Sequence, residues 1–193
     1  MGSPKMVILP GNQTGPVQTD FPDEQGKFPP WPEGALHKTA AEAYAKSLGY
    51  EPITLKVGGS PQNQKSPQAR ETLELFHKDP AVCAFYGFSG GGYNVRHILE
   101  YLAENEPLSL HRIDRIVVIG APNPEKKKRF EPARYIARVS KKAQADPAWK
   151  KPDWIVTYRE NPDRSQMPKG LSPKLDTHMF GPDVLLAGWP ETP

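Results

Sequence analysis

Short apolar runs alternate with amphipathic ones along this chain, and that alternation limits its possible folds more than any other feature. The apolar runs lie at 6–9, 53–57, 81–88, 113–119 and 154–158. They read as continuous stretches rather than strict apolar/polar alternation, the pattern of strands buried on both faces. Helical spacing fills the gaps between them. In 34–48, Leu36, Ala40, Ala43, Tyr44 and Leu48 share a face. In 67–78, Ala69, Leu73 and Phe76 do the same, with Ser66 as N-cap ahead of Pro67. Val95, Ile98, Leu99 and Leu102 recur at helical spacing in 91–104, and further helices are expected at 132–144 and 182–187. Strands alternating with helices predict an α/β fold: a doubly wound, mostly parallel five-stranded sheet in the order 2-1-3-4-5, with helices on both faces. In such sheets ligands bind beyond the C-terminal ends of the strands, so the chemistry is sought there.

With 193 residues the chain is expected to form a single domain, 1–193. Its 23 prolines and 16 glycines make up a fifth of the sequence, short of the roughly 25–30% that marks a low-complexity chain. The prolines also avoid the periodic stretches, which argues for stiff loops around an ordered core. Six of them fall in 10–33 beside Phe21, Phe28 and Trp31, which favours a packed, functional loop after the first strand. A second long connection, 121–152, reads as an insertion. No run of 18 apolar residues occurs, so no transmembrane segment is expected. A signal-peptide core of useful length is not seen before Pro10, and the single cysteine, Cys83, excludes an intrachain disulfide or a cysteine-cluster metal site. Together these features suggest a reduced, cytoplasmic setting.

The third apolar run ends in Gly87-Phe88-Ser89-Gly90-Gly91, and a helical pattern follows. This is G-x-S-x-G in the setting its chemistry needs, a buried strand before and an amphipathic helix after. A serine presented on a sharp strand-to-helix turn requires small neighbours, so that strand and helix can pass closely. The helix N-terminus would set the Gly90 N–H and a positive dipole end beside the hydroxyl, where an oxyanion develops. Phe88 and Tyr93, on either side of the turn, are assigned to substrate binding. The plainer reading is a glycine-rich turn that binds phosphate or merely reverses the chain. A Walker A loop is excluded because no Gly-Lys-Ser/Thr follows. The dinucleotide fingerprint also fails, with glycines at 87, 90, 91 and 92 and no acidic residue ending the next strand.

A nucleophilic serine needs a base, and the base an orienting acid. His37 and His77 precede Ser89 in helices flanking the sheet. His97 is carried away along the helix that follows Ser89, and His111 precedes the fourth strand at the wrong end. His178 alone follows the last strand in a loop, which makes it the candidate base. Asp163, just beyond the fifth strand, is the preferred acid, with Glu160 and Asp176 as rivals and an Asx turn beside Pro162 as its bland reading. The second oxyanion donor is expected in the loop after the first strand, at Gly11, Asn12 or Gln13.

Ser89, Asp163 and His178 occur in the order found in α/β-hydrolases, and the chain resembles a minimal member of that superfamily, similar to cutinases and the smallest bacterial lipases. Gly120-Ala121-Pro122-Asn123 after the fourth strand is also similar to a segment frequent in lipase-like hydrolases. The resemblance implies hydrolysis of a carboxylic ester or thioester through an acyl-enzyme, with no metal or cofactor. The chain departs from the pattern where Pro10-Gly11 replaces the His-Gly pair of lipase oxyanion loops, and it lacks cutinase-type disulfides. Two other readings stay open: a non-catalytic binding module on the same sheet, and an amidase or peptidase using the same triad.

Residues 123–152 carry ten Lys/Arg against three Asp/Glu, a net of +7, so the remainder of a chain of net charge +3 sums to −4. Such a segment is ordinarily a solvated helix face; the sharper reading is attraction of an anionic partner. Nucleic acid is a poor fit, because the segment carries no nucleic-acid recognition motif.

Overall fold

The computed structural model describes residues 2–10, 35–56, 66–120 and 131–159, the stretch 35–40 by its backbone alone. Five strands form one sheet: β1 (Lys5–Leu9), β2 (Glu51–Thr54), β3 (Val82–Phe88), β4 (Arg115–Ile119) and β5 (Ile155–Arg159). Their order is β2-β1-β3-β4-β5, and all four neighbouring pairs are parallel. The predicted order and strand count therefore stand. Five α-helices lie among the described residues: α1 (Ala35–Ser47), α2 (Pro67–Lys78), α3 (Gly90–Asn105), α4 (Pro132–Ile136) and α5 (Lys141–Gln144), with a 3₁₀ turn at Pro107–Arg112. The helix expected at 182–187 lies outside the described residues.

The helices cover both faces of the sheet. On one face, Ala69 and Phe76 of α2 and Val95, Ile98, Leu99 and Leu102 of α3 pack with Val7, Phe85, Ile116 and Val118. On the other, Ala41 and Ala45 of α1 pack with Met6, Ile8, Tyr86 and Val117. Each strand sends alternate residues to opposite faces. Both sets are apolar, which is why the runs looked continuous in the sequence. Tyr135 and Val139, from the described part (131–152) of the 121–152 insertion, join the α3-side core, and Arg138 ties that part to α3 through Glu100 and Glu104 at 2.9 and 2.6 Å. This part lies packed in the connection from β4 to β5.

Two expectations about boundaries change. β2 begins at Glu51, not at 53, because α1 ends in a left-handed Gly49 (φ 86°) that turns the chain immediately into register with β1, Lys5 opposite Glu51. Pro52 inside β2 is tolerated because β2 is an edge strand. The helix expected over 132–144 is two short helices. Ser140 leaves helical geometry (φ −62°, ψ 147°) and restarts the helix as an N-cap, its hydroxyl accepting the Ala143 N–H at 3.1 Å.

The N-terminal edge of the sheet is closed by paired charges. Lys5 Nζ donates to Asp79 Oδ2 at 2.8 Å, and Asp79 Oδ1 accepts the Ala81 N–H at 2.9 Å. Arg112 stacks on the Phe76 ring at 4.1 Å and donates to the Phe76 carbonyl at 2.7 Å. The Lys5 hydrogen bond, then that of Ala81, holds the Asp79 carboxyl below the ordinary carboxylate range, and the same pairing raises the Lys5 ammonium. A depressed carboxyl stabilises the fold above its unfolded pKa and loses that contribution as pH falls through its folded value. The urea midpoint of Asp79→Asn is therefore expected below wild type at neutral pH, with the two converging as pH drops through and below the carboxylate range. Urea titrations at a series of pH values measure the gap.

Candidate active site

All five strands run parallel, so their C-terminal ends share one edge of the sheet, and β3 delivers Ser89 there. Ser89 joins β3 to α3 with φ 51° and ψ −120°. Among the described residues it is the only non-glycine with positive φ. The value of ψ also lies outside the small left-handed helical region that L-residues tolerate, and such geometry costs about 1–3 kcal/mol. It persists because its surroundings hold both ends of the residue. The Ser89 N–H donates to the Ile119 carbonyl at the end of β4 at 2.9 Å, and its own carbonyl accepts the Gly92 N–H at 3.0 Å.

The glycines around it are required by close backbone contact. A Cβ on Gly87 would lie 2.6 Å from the Gly91 carbonyl oxygen, and one on Gly91 would overlap the carbonyl oxygen of Leu9. The first turn of α3 thus rests directly on the last residue of β1, with no side chain between.

Three serines stand at N-cap positions of the described helices, and they behave differently. Ser66 (φ −55°, ψ 135°) accepts the Ala69 N–H at 3.4 Å, and Ser140 caps α5 in the same way. Ser89 makes no capping bond and is half-buried. Its hydroxyl is not used to terminate the helix it precedes. The N–H groups of a helix's first turn lack intrahelical acceptors and carry its positive dipole end, and Gly90 is the first residue of α3.

The other serine-site residues expected from the sequence divide into those described and those not. Gly90 follows Ser89 and is buried. Phe88 is 3% exposed and packs into the α1-side core with Ile8 and Tyr86. Tyr93 is half-buried, with the Arg96 guanidinium 5.8 Å from its ring centroid. Gly11, Asn12, Gln13, Asp163 and His178 lie outside the described residues, as do the rival acids Glu160 and Asp176. The histidines passed over in the search for a base sit elsewhere. His97 Nδ1 faces Glu100 at 3.3 Å, His77 Nε2 faces Glu106 at 2.7 Å, and His111 is in the 3₁₀ turn before β4. The side chain of His37 is not described. Cys83, an alternative nucleophile in principle, has its thiol pushed up to about 11 by burial and then by the charge of Asp114. A thiol so placed stays protonated at neutral pH. Groups of three or more acidic, histidine or cysteine side chains able to hold a metal are absent among the described residues.

Two buried polar residues escaped the sequence reading. Gln68 and Asn94 are 3% and 0% exposed, and Asn94 Nδ2 donates to Gln68 Oε1 at 2.8 Å. The available signal was a polar residue on an apolar helical stripe: Gln68 is in line with Phe76 at i+8, and Asn94 with Ile98 at i+4.

Two outcomes follow from this geometry. Gly91→Ala is expected to cost about 3 kcal/mol, the upper range for forced overpacking, because the clash is with backbone. Ser89→Gly is expected to be more stable than Ser89→Ala by about 1 kcal/mol, since glycine releases the strain while its added chain entropy offsets part of the gain. Urea unfolding of the three variants checks both.

Compared with protein-family models, with curated proteins and with solved structures, the chain finds no match, so a functional assignment has to stand on the geometry around Ser89.

Proposed function

We propose that the protein is a serine hydrolase of α/β-hydrolase type that cleaves a carboxylic ester or thioester through an acyl-enzyme. The observation that carries this reading is Ser89 itself, held at φ 51° and ψ −120° between a buried parallel strand and a helix N-terminus, its hydroxyl left out of the helix cap. Ser66 and Ser140 cap their helices in extended geometry with their hydroxyls bonded, whereas a turn serving only to reverse the chain at 89 would be made with less strain by glycine.

In the proposed reaction Ser89 Oγ attacks the carbonyl carbon while His178 takes its proton. The oxyanion forms beside the Gly90 N–H and an N–H from residues 11–13. As the tetrahedral intermediate collapses, His178 returns the proton to the leaving alcohol or thiol, and an acyl-Ser89 ester remains. Water then attacks, its proton passing to His178, and the carboxylic acid and free Ser89 are regenerated. Asp163 fixes the imidazole tautomer throughout. Tyr93, half-buried beside the turn, is the proposed contact for the acyl group; Phe88, expected to share that role, is buried in the α1-side core instead. No metal or cofactor takes part in the proposed reaction. The proposed setting is the cytoplasm, in keeping with an unpaired Cys83. Among the described residues no helix is long and apolar enough to cross a membrane. The basic segment 123–152 is the proposed contact for an anionic partner or acidic product, supported by exposed Lys141, Lys142, Lys150 and Lys151.

Ser89→Ala is expected to remove p-nitrophenyl ester hydrolysis by at least about a thousandfold and to abolish fluorophosphonate labelling, with circular dichroism unchanged. Activity retained in that variant overturns the assignment.

A further inference from the structure

We propose that Gln68 and Asn94 are positioning residues of the Ser89 site, clamping the exit of β1 against the helix that carries Ser89; the proposal rests on the serine-hydrolase reading. Gln68 Nε2 donates two hydrogen bonds, to the Pro10 carbonyl at 3.0 Å and to the Lys56 carbonyl at 2.7 Å. Carbonyls can only accept, so the amide nitrogen must face them, which leaves Gln68 Oε1 to take the Asn94 N–H at 2.8 Å. Asn94 lies in the second turn of α3, five residues beyond Ser89. Pro10 and Lys56 are the residues at which β1 and β2 give way to the segments 11–34 and 57–65.

One glutamine thus joins the exits of two strands to the helix that follows the nucleophile. Successive carbonyls at the end of β1 are fixed in different ways, that of Leu9 by contact with Gly91 and that of Pro10 by Gln68. Gln68 is itself anchored, since its backbone carbonyl accepts the Thr72 hydroxyl at 2.7 Å. The clamp is not a device for packing. Asn94 Oδ1 is buried with no hydrogen-bond partner among the described residues, a polar atom that an apolar residue at 94 would remove. What the amide pair supplies is direction. It sets the helix that carries Ser89 and the Gly90 N–H against the exits of β1 and β2. Displacing an oxyanion donor such as that N–H weakens transition-state binding more than substrate binding.

The test compares wild type, Gln68→Met, Asn94→Ala and Ile113→Val. Methionine matches glutamine in length and donates nothing, and Ile113 is a core position at the opposite end of the sheet. For Gln68→Met, kcat on p-nitrophenyl esters is expected to fall about 10–100-fold with KM within about threefold, and fluorophosphonate labelling to slow in parallel. Asn94→Ala is expected to show the same split to a smaller extent, and it carries the test if Gln68→Met does not fold. Ile113→Val should lower the melting temperature while leaving kcat unchanged. If wild type is active but the folded clamp variants keep wild-type kcat, the clamp is overturned and the hydrolase reading stands. A wild type that neither turns over esters nor takes the probe overturns the hydrolase reading, and the clamp's role in it.

Discussion

The C-terminal edge of the sheet depends on one close approach, that of the first turn of α3 to the last residue of β1. The Leu9 carbonyl occupies the space that a side chain at residue 91 would need, and the Gly91 carbonyl crowds residue 87 in the same way. A helix pressed this close to the sheet leaves a single residue in which the chain can turn from β3 into α3, and that residue is Ser89. Its N–H is held by Ile119 and its carbonyl by Gly92, so it cannot relax toward an extended conformation without breaking backbone bonds on both sides. The glycines at 87 and 91 and the positive φ at 89 are therefore one constraint seen at three positions. Strain of about 1–3 kcal/mol is sustainable only where packing over-determines the backbone in this way.

Apolar packing supplies that stiffness, and the buried amides do not. The α3-side core unites α2, α3, α4 and strands β1, β3 and β4 through buried residues that include fully buried Phe76, Phe85, Ile98, Leu102 and Ile116. Each such side chain contributes about 1.5–3 kcal/mol by leaving water. A buried neutral hydrogen bond contributes a net of about 1 kcal/mol, and an unpaired buried acceptor costs about 1–3 kcal/mol. Three such bonds set against one buried acceptor with no partner among the described residues leave the Gln68–Asn94 pair a small net contribution, about 0–2 kcal/mol. Its effect is geometric: it selects one arrangement of strand exits among those the apolar core would accept.

How much was legible in the sequence follows from which forces are local. Strands β1, β3 and β4 were read to within about two residues because each is buried on both faces, and the apolar run is the strand. The limits of α2 were read in full, since Ser66 and Pro67 mark its start by local chemistry. β2 was shifted because its register is set by pairing with β1, a contact over 46 residues away in sequence, while Pro52 disguised its start. The break at Ser140 was missed because the apolar residues Tyr135, Val139 and Ala143 keep helical spacing across it. At the site, the glycine pattern announced the turn, since close backbone approach leaves only glycine. The clamp was not announced, because a glutamine and an asparagine 26 residues apart acquire a joint role only when two helices meet.

The two edges of the sheet put their polar groups to different uses. At the N-terminal edge these groups close on one another: Lys5 with Asp79, Arg112 with the Phe76 ring and carbonyl, His77 with Glu106. Asp79 in particular is extended and bonded through both carboxylate oxygens. At the C-terminal edge a hydroxyl is fixed in a conformation that L-residues avoid, at the positive end of a 16-residue helix, and takes no part in capping it. Were the turn only a reversal, glycine at 89 would make it with less strain. Serine there retains a hydroxyl at the cost of backbone strain, and the imbalance is accounted for if the hydroxyl reacts. The Asn94 amide oxygen, buried with no hydrogen-bond partner among the described residues, lies in the second turn of that same helix, a second departure from the lowest-energy choice close to Ser89.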